Sequence, residues 1–246
     1  MFAVAIGAVM VYALLTGIVA ARLLGLAWRT RALPEIALGT SYALGGMLGW
    51  VAIVLGTAFA ARAPAAGLAL QFFGLFCLSA GHLATALFIW RVFNPDSAWA
   101  RALFGALLAT AIVEYVHNVG QLGVIFPPPS SFWYWPGAVW RTGTYVWMPF
   151  VALRYHRRLR LRLAIGLADP VATNRVLLWG IMGTLMLVAS VGVIVATLLG
   201  LWTTPAAPAL MAALTVLIAI VSALGLLTFR APERYLAWVR ARPGVE

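Results

Sequence analysis

Residues 176–201 read VLLWGIMGTLMLVASVGVIVATLLGL and hold no charged side chain. About 20 apolar residues cross the hydrocarbon core of a bilayer as a helix, so this segment predicts a transmembrane span. Six further runs share its apolar composition, which makes seven predicted spans. The runs are approximately Phe2–Leu24, Ile36–Ala60, Leu68–Trp90, Ala102–Phe126, Gly137–Leu153, Val176–Leu201 and Ala206–Phe229.

An all-α fold follows from the length of these runs, because a membrane strand would show about ten residues of alternating polarity. We therefore expect a polytopic membrane helical bundle of seven transmembrane helices. The runs fill residues 1–230, which predicts a single transmembrane domain, and residues 231–246 form a short basic cytoplasmic tail.

The composition also indicates a membrane protein. Hydrophobic residues make up 64% of the 246 residues and charged residues 9%, whereas soluble proteins have roughly 45–50% and about 25%. The net charge is +11, but the arginines lie in short clusters between apolar runs. We therefore expect anionic lipids as their partners, and no nucleic acid. The single cysteine, Cys77, excludes a disulfide within the chain and a Cys-rich metal site.

The arginines predict the orientation, because short cytoplasmic loops retain basic residues. The connections after runs one, three and five and the tail after run seven hold three, two, six and four of the seventeen arginines. These are Arg22, Arg29, Arg31, Arg91, Arg101, Arg154, Arg157, Arg158, Arg160, Arg162, Arg175, Arg230, Arg234, Arg240 and Arg242. The other connections hold only Arg62, and Arg141 lies within a run. We predict a multi-pass protein of the plasma (inner) membrane, with its N-terminus outside and its C-terminus in the cytoplasm.

Most acidic side chains are explained by helix starts. Glu35, Asp169 and Glu233 each adjoin a proline at a predicted first turn, where a carboxylate stabilises the helix N-terminus. Asp96, in an Asn-Pro-Asp-Ser segment, has the same interpretation. Apart from the C-terminal residue, this leaves Glu114 as the one carboxylate within a span.

Glu114 shares one helical face with His117, Asn118 and Gln121, because offsets of three, four and seven residues return to the same side of a helix. Ionisable groups in hydrocarbon cost about 2.5 kcal/mol or more on insertion scales, and they usually mark functional sites. The stripe therefore predicts a ligand site, and polar contacts that fix helix packing are the structural alternative.

Arg141 on the fifth run is the expected partner of this stripe. At 1.5 Å per residue, Glu114 lies roughly 18 Å and Gln121 roughly 8 Å below Phe126, and Arg141 lies roughly 8 Å below Pro136. We expect Arg141 to reach Glu114 through the intervening polar side chains or water, in a cavity open to the outer side. The aromatic loop at 132–135 is either an interfacial belt or a lid over this cavity.

His82 on the third run is the remaining candidate for ligand binding. Together with His117 it offers two axial ligands for a haem b, but the two histidines differ in depth, at roughly 21 and 14 Å. No cofactor or metal site is predicted beyond this haem hypothesis. The chain has no lysine, so covalent retinal and phosphate-binding loops of the Gly-Lys-Ser/Thr type are excluded. Hydrolase motifs are missing as well, and we predict no catalytic residue.

Two segments resemble connectors in multi-span, seven-helix sensor modules of bacterial signalling proteins. They are GLADPVATNRVLLWG at 166–180 and FRAPERYLAWVR at 229–240. In that family the exit segment leads to a cytoplasmic kinase, cyclase or transcription-factor domain. Because the sequence ends at Glu246 without such a domain, the resemblance implies a separate cytoplasmic signalling partner.

The sequence therefore predicts a sensor or receptor-like membrane protein that binds a small ligand in the outer half of the bundle. The alternative is a small permease or proton-coupled transporter in which Glu114 and His117 titrate. A third candidate is a membrane-bound enzyme or a haem-binding cytochrome subunit.

Overall fold

Long helices occupy almost all of residues 2–121 and 127–241, which are the residues that the computed structural model describes. Helix accounts for 86% of the structure, with no strand among the described residues, which confirms the all-α prediction. The helices are α1 (Phe2–Thr30), α2 (Leu33–Phe59), α3 (Pro64–Phe93), α4 (Ala98–Gly120), α5 (Tyr134–Ala164), α6 (Pro170–Leu198), α7 (Ala207–Phe229) and α8 (Glu233–Ala241).

Six of the predicted runs coincide with helices that are long and apolar enough to cross a membrane. These are Val9–Thr30, Leu33–Phe59, Pro64–Phe93, Ala98–Gly120, Pro170–Leu198 and Ala207–Phe229. Their length and composition indicate a multi-pass membrane protein. α5 stands outside this set because Arg141 interrupts its apolar part and five arginines occupy its last third.

Each helix from α1 to α6 packs against the next one in sequence, and α7 packs against both α6 and α1. α3 contacts α2, α4 and α5, so it lies at the centre of one side of the bundle. Many of the most buried side chains, including Ile89, Trp140 and Ala152, come from α3 and α5. Large apolar side chains such as Val116 and Phe150 face outward, as lipid-facing residues do.

We call the end of the bundle at residues 127–136 the proline end, and the opposite end, at Arg154–Arg162, the basic end. Two helix boundaries differ from the apolar runs and matter for the site. α4 ends at Gly120, although the run continues to Phe126, and residues 122–126 lie outside the described part of the chain. α5 continues as helix to Ala164 because its basic segment, 154–162, is made of strong helix formers.

The acidic residues predicted to cap helix starts differ in outcome, and Glu35 does not cap: α2 has no side-chain cap, and the buried Oε2 of Glu35 has no hydrogen-bond partner among the described residues. The Asp169 carboxylate accepts hydrogen bonds from the backbone N–H groups of Val171 and Ala172, at 3.3 and 3.0 Å, and so caps α6. Glu35 and Glu233 lie in the first turns of their helices. The prediction for Asp96 was wrong, because α4 begins after Ser97 and has no side-chain cap.

The contact between α2 and α3 depends on glycine. A Cβ atom added to Gly81 of α3 would collide with the backbone N and Cα of Gly45. Gly45 lies in a π-helical segment of α2, Ser41–Leu48, that the apolar pattern did not predict. The Ser41 hydroxyl is 2.6 Å from the Thr85 hydroxyl of α3, so this wide segment also forms a polar contact. Small residues therefore let two backbones touch, as in other membrane helix pairs.

We expect Gly81→Ala to lower the free energy of unfolding by about 1–3 kcal/mol, because the added methyl group forces α2 and α3 apart. The Tm of the purified protein in detergent measures the loss. Gly105→Ala is the matched control, since a Cβ atom there has no heavy atom within 4 Å. An equal effect of the two substitutions would contradict the close contact.

Candidate functional site

Glu114 forms a direct ion pair with Arg141. The guanidinium of Arg141 donates to both carboxylate oxygens, with Nη2 at 2.8 Å from Oε1 and Nη1 at 2.9 Å from Oε2. The indole Nε1–H of Trp140 donates to Oε2 at 2.6 Å. Only 2% of the Glu114 side chain is exposed, against 22% for Arg141. The carboxylate is therefore buried inside the bundle, while part of the Arg141 side chain remains exposed.

Gly137 creates the room for this ion pair. It lies one turn before Arg141 on α5, and an added Cβ atom would collide with Oε1 of Glu114 and lie 2.5 Å from Nη2 of Arg141. Any side chain at position 137 would thus displace the carboxylate or the guanidinium. Glycine here lets α5 pass close enough to α4 for the two-pronged contact.

The direct contact corrects the predicted depths. Depth was counted from Phe126, but α4 ends at Gly120. Counted from the observed helix ends, Glu114 is roughly 9 Å below Gly120 and Arg141 roughly 10 Å below Tyr134. The two charged groups therefore lie at one level, and neither Gln121 nor water is needed as a bridge.

The rest of the predicted stripe divides into buried and exposed parts. Asn118 is fully buried one turn beyond Glu114. His117 is half-buried and stacks on Trp133, with ring centroids 3.8 Å apart and an interplanar angle of 13°. Gln121 is exposed at the end of α4, because the helix stops before it can face α5. Trp133 thus covers one residue of the stripe, whereas the neighbouring Phe132 is 73% exposed.

His82 joins the cluster through aromatic neighbours on α5 and not through His117. Its Nε2 lies 2.8 Å from the Tyr145 hydroxyl, and its Nδ1 lies 2.8 Å from the carbonyl oxygen of Leu78. Its ring packs edge-on against Trp140, with centroids 5.7 Å apart. Axial ligation of a haem by His82 would require the loss of its bond to Tyr145 or to Leu78. The haem hypothesis stays a prediction.

Three residues of the cluster were not predicted: Trp140, Tyr145 and Gly137. A tryptophan directly beside an intramembrane arginine was a usable signal, because a buried indole N–H needs an acceptor. Tyr145 and Gly137 gave no such signal, since their role depends on helices that are distant in the sequence. Among the described residues, no group of three or more His, Cys, Asp or Glu side chains is placed to hold a metal ion.

This geometry is suited to anion exchange at Arg141. In a low-dielectric site, the pair is held by its Coulomb attraction and by three hydrogen bonds to one carboxylate. The exposed 22% of the Arg141 side chain is the part of the pair that a ligand carboxylate or phosphate can reach. Such a ligand can replace Glu114 as the partner of Arg141, whereas a cation would find the carboxylate covered.

The six long apolar helices indicate a multi-pass membrane protein, and the Glu114–Arg141 pair is a buried charged site within its helical bundle. Comparison with known proteins does not assign the chain to a narrower class. No protein-family model, curated protein or solved structure matches the chain.

We expect Arg141→Gln to lower the free energy of unfolding by about 3–5 kcal/mol, because it leaves a buried carboxylate without its cation. Glu114→Gln should cost less, since the guanidinium it leaves is partly exposed and the amide oxygen can still accept from Trp140. The double variant should cost less than the sum of the two single variants. Thermal unfolding in detergent measures all three.

Arg62→Gln, at an exposed arginine outside the cluster, is the control and should leave Tm unchanged. Additive losses in the double variant would contradict a direct energetic coupling between Glu114 and Arg141.

Proposed function

We propose that this protein is a sensor of the plasma (inner) membrane that crosses the bilayer seven times and binds a small anionic ligand at Arg141. The observation that carries the proposal is the Glu114–Arg141 pair, in which the Glu114 side chain is 2% exposed and the Arg141 side chain is 22% exposed. In this proposal α5 also crosses the membrane, which brings the number of spans from six to seven. Glu114 neutralises the arginine in its interior. The uneven distribution of arginines supports a cytoplasmic basic end and an external N-terminus.

α5 is the element through which binding would act on the rest of the bundle. It carries Trp140 and Arg141 of the ion-pair cluster, and the Thr142 hydroxyl lies 2.7 Å from the Ser190 hydroxyl on α6. Near the basic end, Nδ1 of His156 lies 3.1 Å from the carbonyl oxygen of Thr173 in the first turn of α6. A shift of α5 at the charged site would therefore move α6 at both levels.

Pro149 gives α5 a point at which it can bend. Proline cannot donate the backbone hydrogen bond of a helix interior, so helices often kink at it. It lies between Arg141 and His156 and packs against Gly183 of α6, where an added Cβ would be 2.8 Å from the proline Cδ. The part of α5 with the ion pair can thus tilt relative to the part at the basic end.

The two segments that resemble sensor connectors contact each other. The Asn174 side chain, in the first segment, donates a hydrogen bond to the Tyr235 hydroxyl of α8, in the second, at 2.8 Å. α8 is short and places Arg234 and Arg240 at the basic end. A movement of α6 is therefore passed directly to the helix that would present a signal to a separate cytoplasmic partner.

The crossing of α5 has a direct test by cysteine labelling. In a Cys77→Ala background, we expect Ser130→Cys to react with a membrane-impermeant maleimide in intact cells. Arg160→Cys should react only after the membrane is permeabilised. Both positions are exposed; Ser130 precedes α5, and Arg160 lies in the basic segment near its other end. Labelling of both positions from one side would show that α5 does not cross.

For ligand binding, acetate, succinate and inorganic phosphate serve as probes of the protein in detergent. A probe that binds only the folded protein at 100 times its Kd adds about 2.7 kcal/mol to the free energy of unfolding. We expect at least one probe to raise the Tm of the wild type and of Arg62→Gln, but not that of Arg141→Gln. Hydrogen exchange in α8 should change with the same probe.

Two results would overturn the sensor proposal. A probe that raises the Tm of Arg141→Gln as much as that of the wild type does not bind at the ion pair. Uptake of the probe into proteoliposomes, abolished by Glu114→Gln, would instead support the permease.

A further inference from the structure

A second charged region lies at the basic end, about three and a half turns beyond Arg141 along α5. A cavity of about 250 Å³ opens there between the end of α3, the connection to α4, and α5. Arg154 and Arg158, one turn apart on α5, line it together with Asn94 and Ser97 from the connection between α3 and α4. Trp99 and Phe150 complete it on the outer surface of the bundle.

The polar groups of this cavity are predominantly hydrogen-bond donors. No carboxylate lines it, and neither arginine forms an ion pair among the described residues. The Asn94 side-chain Nδ2 is buried and has no acceptor within the described part of the chain. The Ser97 hydroxyl, which also lines the cavity, makes no capping hydrogen bond to α4. Two guanidinium groups, an amide N–H and a hydroxyl around one cavity call for an acceptor with negative charge.

The apolar walls indicate that this acceptor belongs to an amphipathic molecule. Trp99 is 50% exposed and Phe150 is 61% exposed, and both side chains lie where the cavity meets the outer surface of the bundle. Trp99 also packs on the buried Trp147, with centroids 5.8 Å apart, so it is held in place. A soluble phosphate would not contact these rings, whereas an acyl chain next to a phosphate would cover them.

We propose that this cavity is a specific site for an anionic phospholipid. The lipid phosphate lies between Arg154, Arg158 and the Asn94 amide, and an acyl chain lies against Phe150 and Trp99. This site is separate from the Glu114–Arg141 pair and does not depend on the sensor proposal. It differs from general attraction of basic residues to a charged leaflet, because only two arginines of the 154–162 segment line it.

The matched pair of double variants exploits that difference. Arg154→Gln/Arg158→Gln and Arg157→Gln/Arg160→Gln remove the same charge from the same helix, but only the first pair lines the cavity. The full-length protein is purified in detergent, and binding of phosphatidylglycerol is measured by native mass spectrometry. We expect the first variant to bind the lipid about tenfold more weakly than the wild type, and the second to bind it as the wild type does.

Asn94→Leu provides a second test that leaves the charge unchanged, and it should also weaken binding of phosphatidylglycerol. Equal weakening by the two double variants would overturn the proposal, because it would show non-specific attraction of charge. Displacement of the lipid by millimolar glycerol 3-phosphate would overturn it too, since the cavity would then be a site for a soluble phosphate. Lipid binding as strong as that of the wild type, in Arg154→Gln/Arg158→Gln or in Asn94→Leu, would also overturn the proposal.

Discussion

A carboxylate and a guanidinium buried inside a helical bundle have to satisfy each other, and this requirement brings α4 and α5 together at Glu114 and Arg141. Glu114 has water on no side, so its oxygens depend on Arg141 and Trp140 for all their hydrogen bonds. The missing side chain at Gly137 is what allows this approach. The ion pair thus places one level of α4 directly against one level of α5.

The two sides of the bundle differ in how polar their contacts are. On the side of α3, α4 and α5, a chain of contacts links Glu114 to α3. Trp140 donates a hydrogen bond to Glu114 and packs edge-on against His82 of α3, which in turn contacts the Tyr145 hydroxyl. On the side of α1 and α7, the helices border a cavity of about 300 Å³ whose wall is almost wholly apolar. Polar contacts therefore fix the helix packing on the first side, whereas apolar contacts prevail on the second.

α5 links the features that bear on function. Its first half holds the ion pair, its second half lines the basic-end cavity, and Pro149 separates them. A ligand at one level and a lipid at the other would thus act on one helix. Contacts from α5 to α6, and from Asn174 to Tyr235, continue this path to α8. The proposals for sensing and for lipid binding rest on different residues of the same helix, α5.

The sequence by itself determined the all-helical fold, six of the apolar helices and Glu114 as the carboxylate to explain, because these follow from composition and local spacing. It also named Arg141 as the partner of Glu114. Only the tertiary structure decided that the pair is direct, that Gln121 is outside it and that His82 contacts Tyr145. The reason is physical: apolar periodicity reports which residues leave water, whereas polar pairing depends on where helices end and how closely they approach.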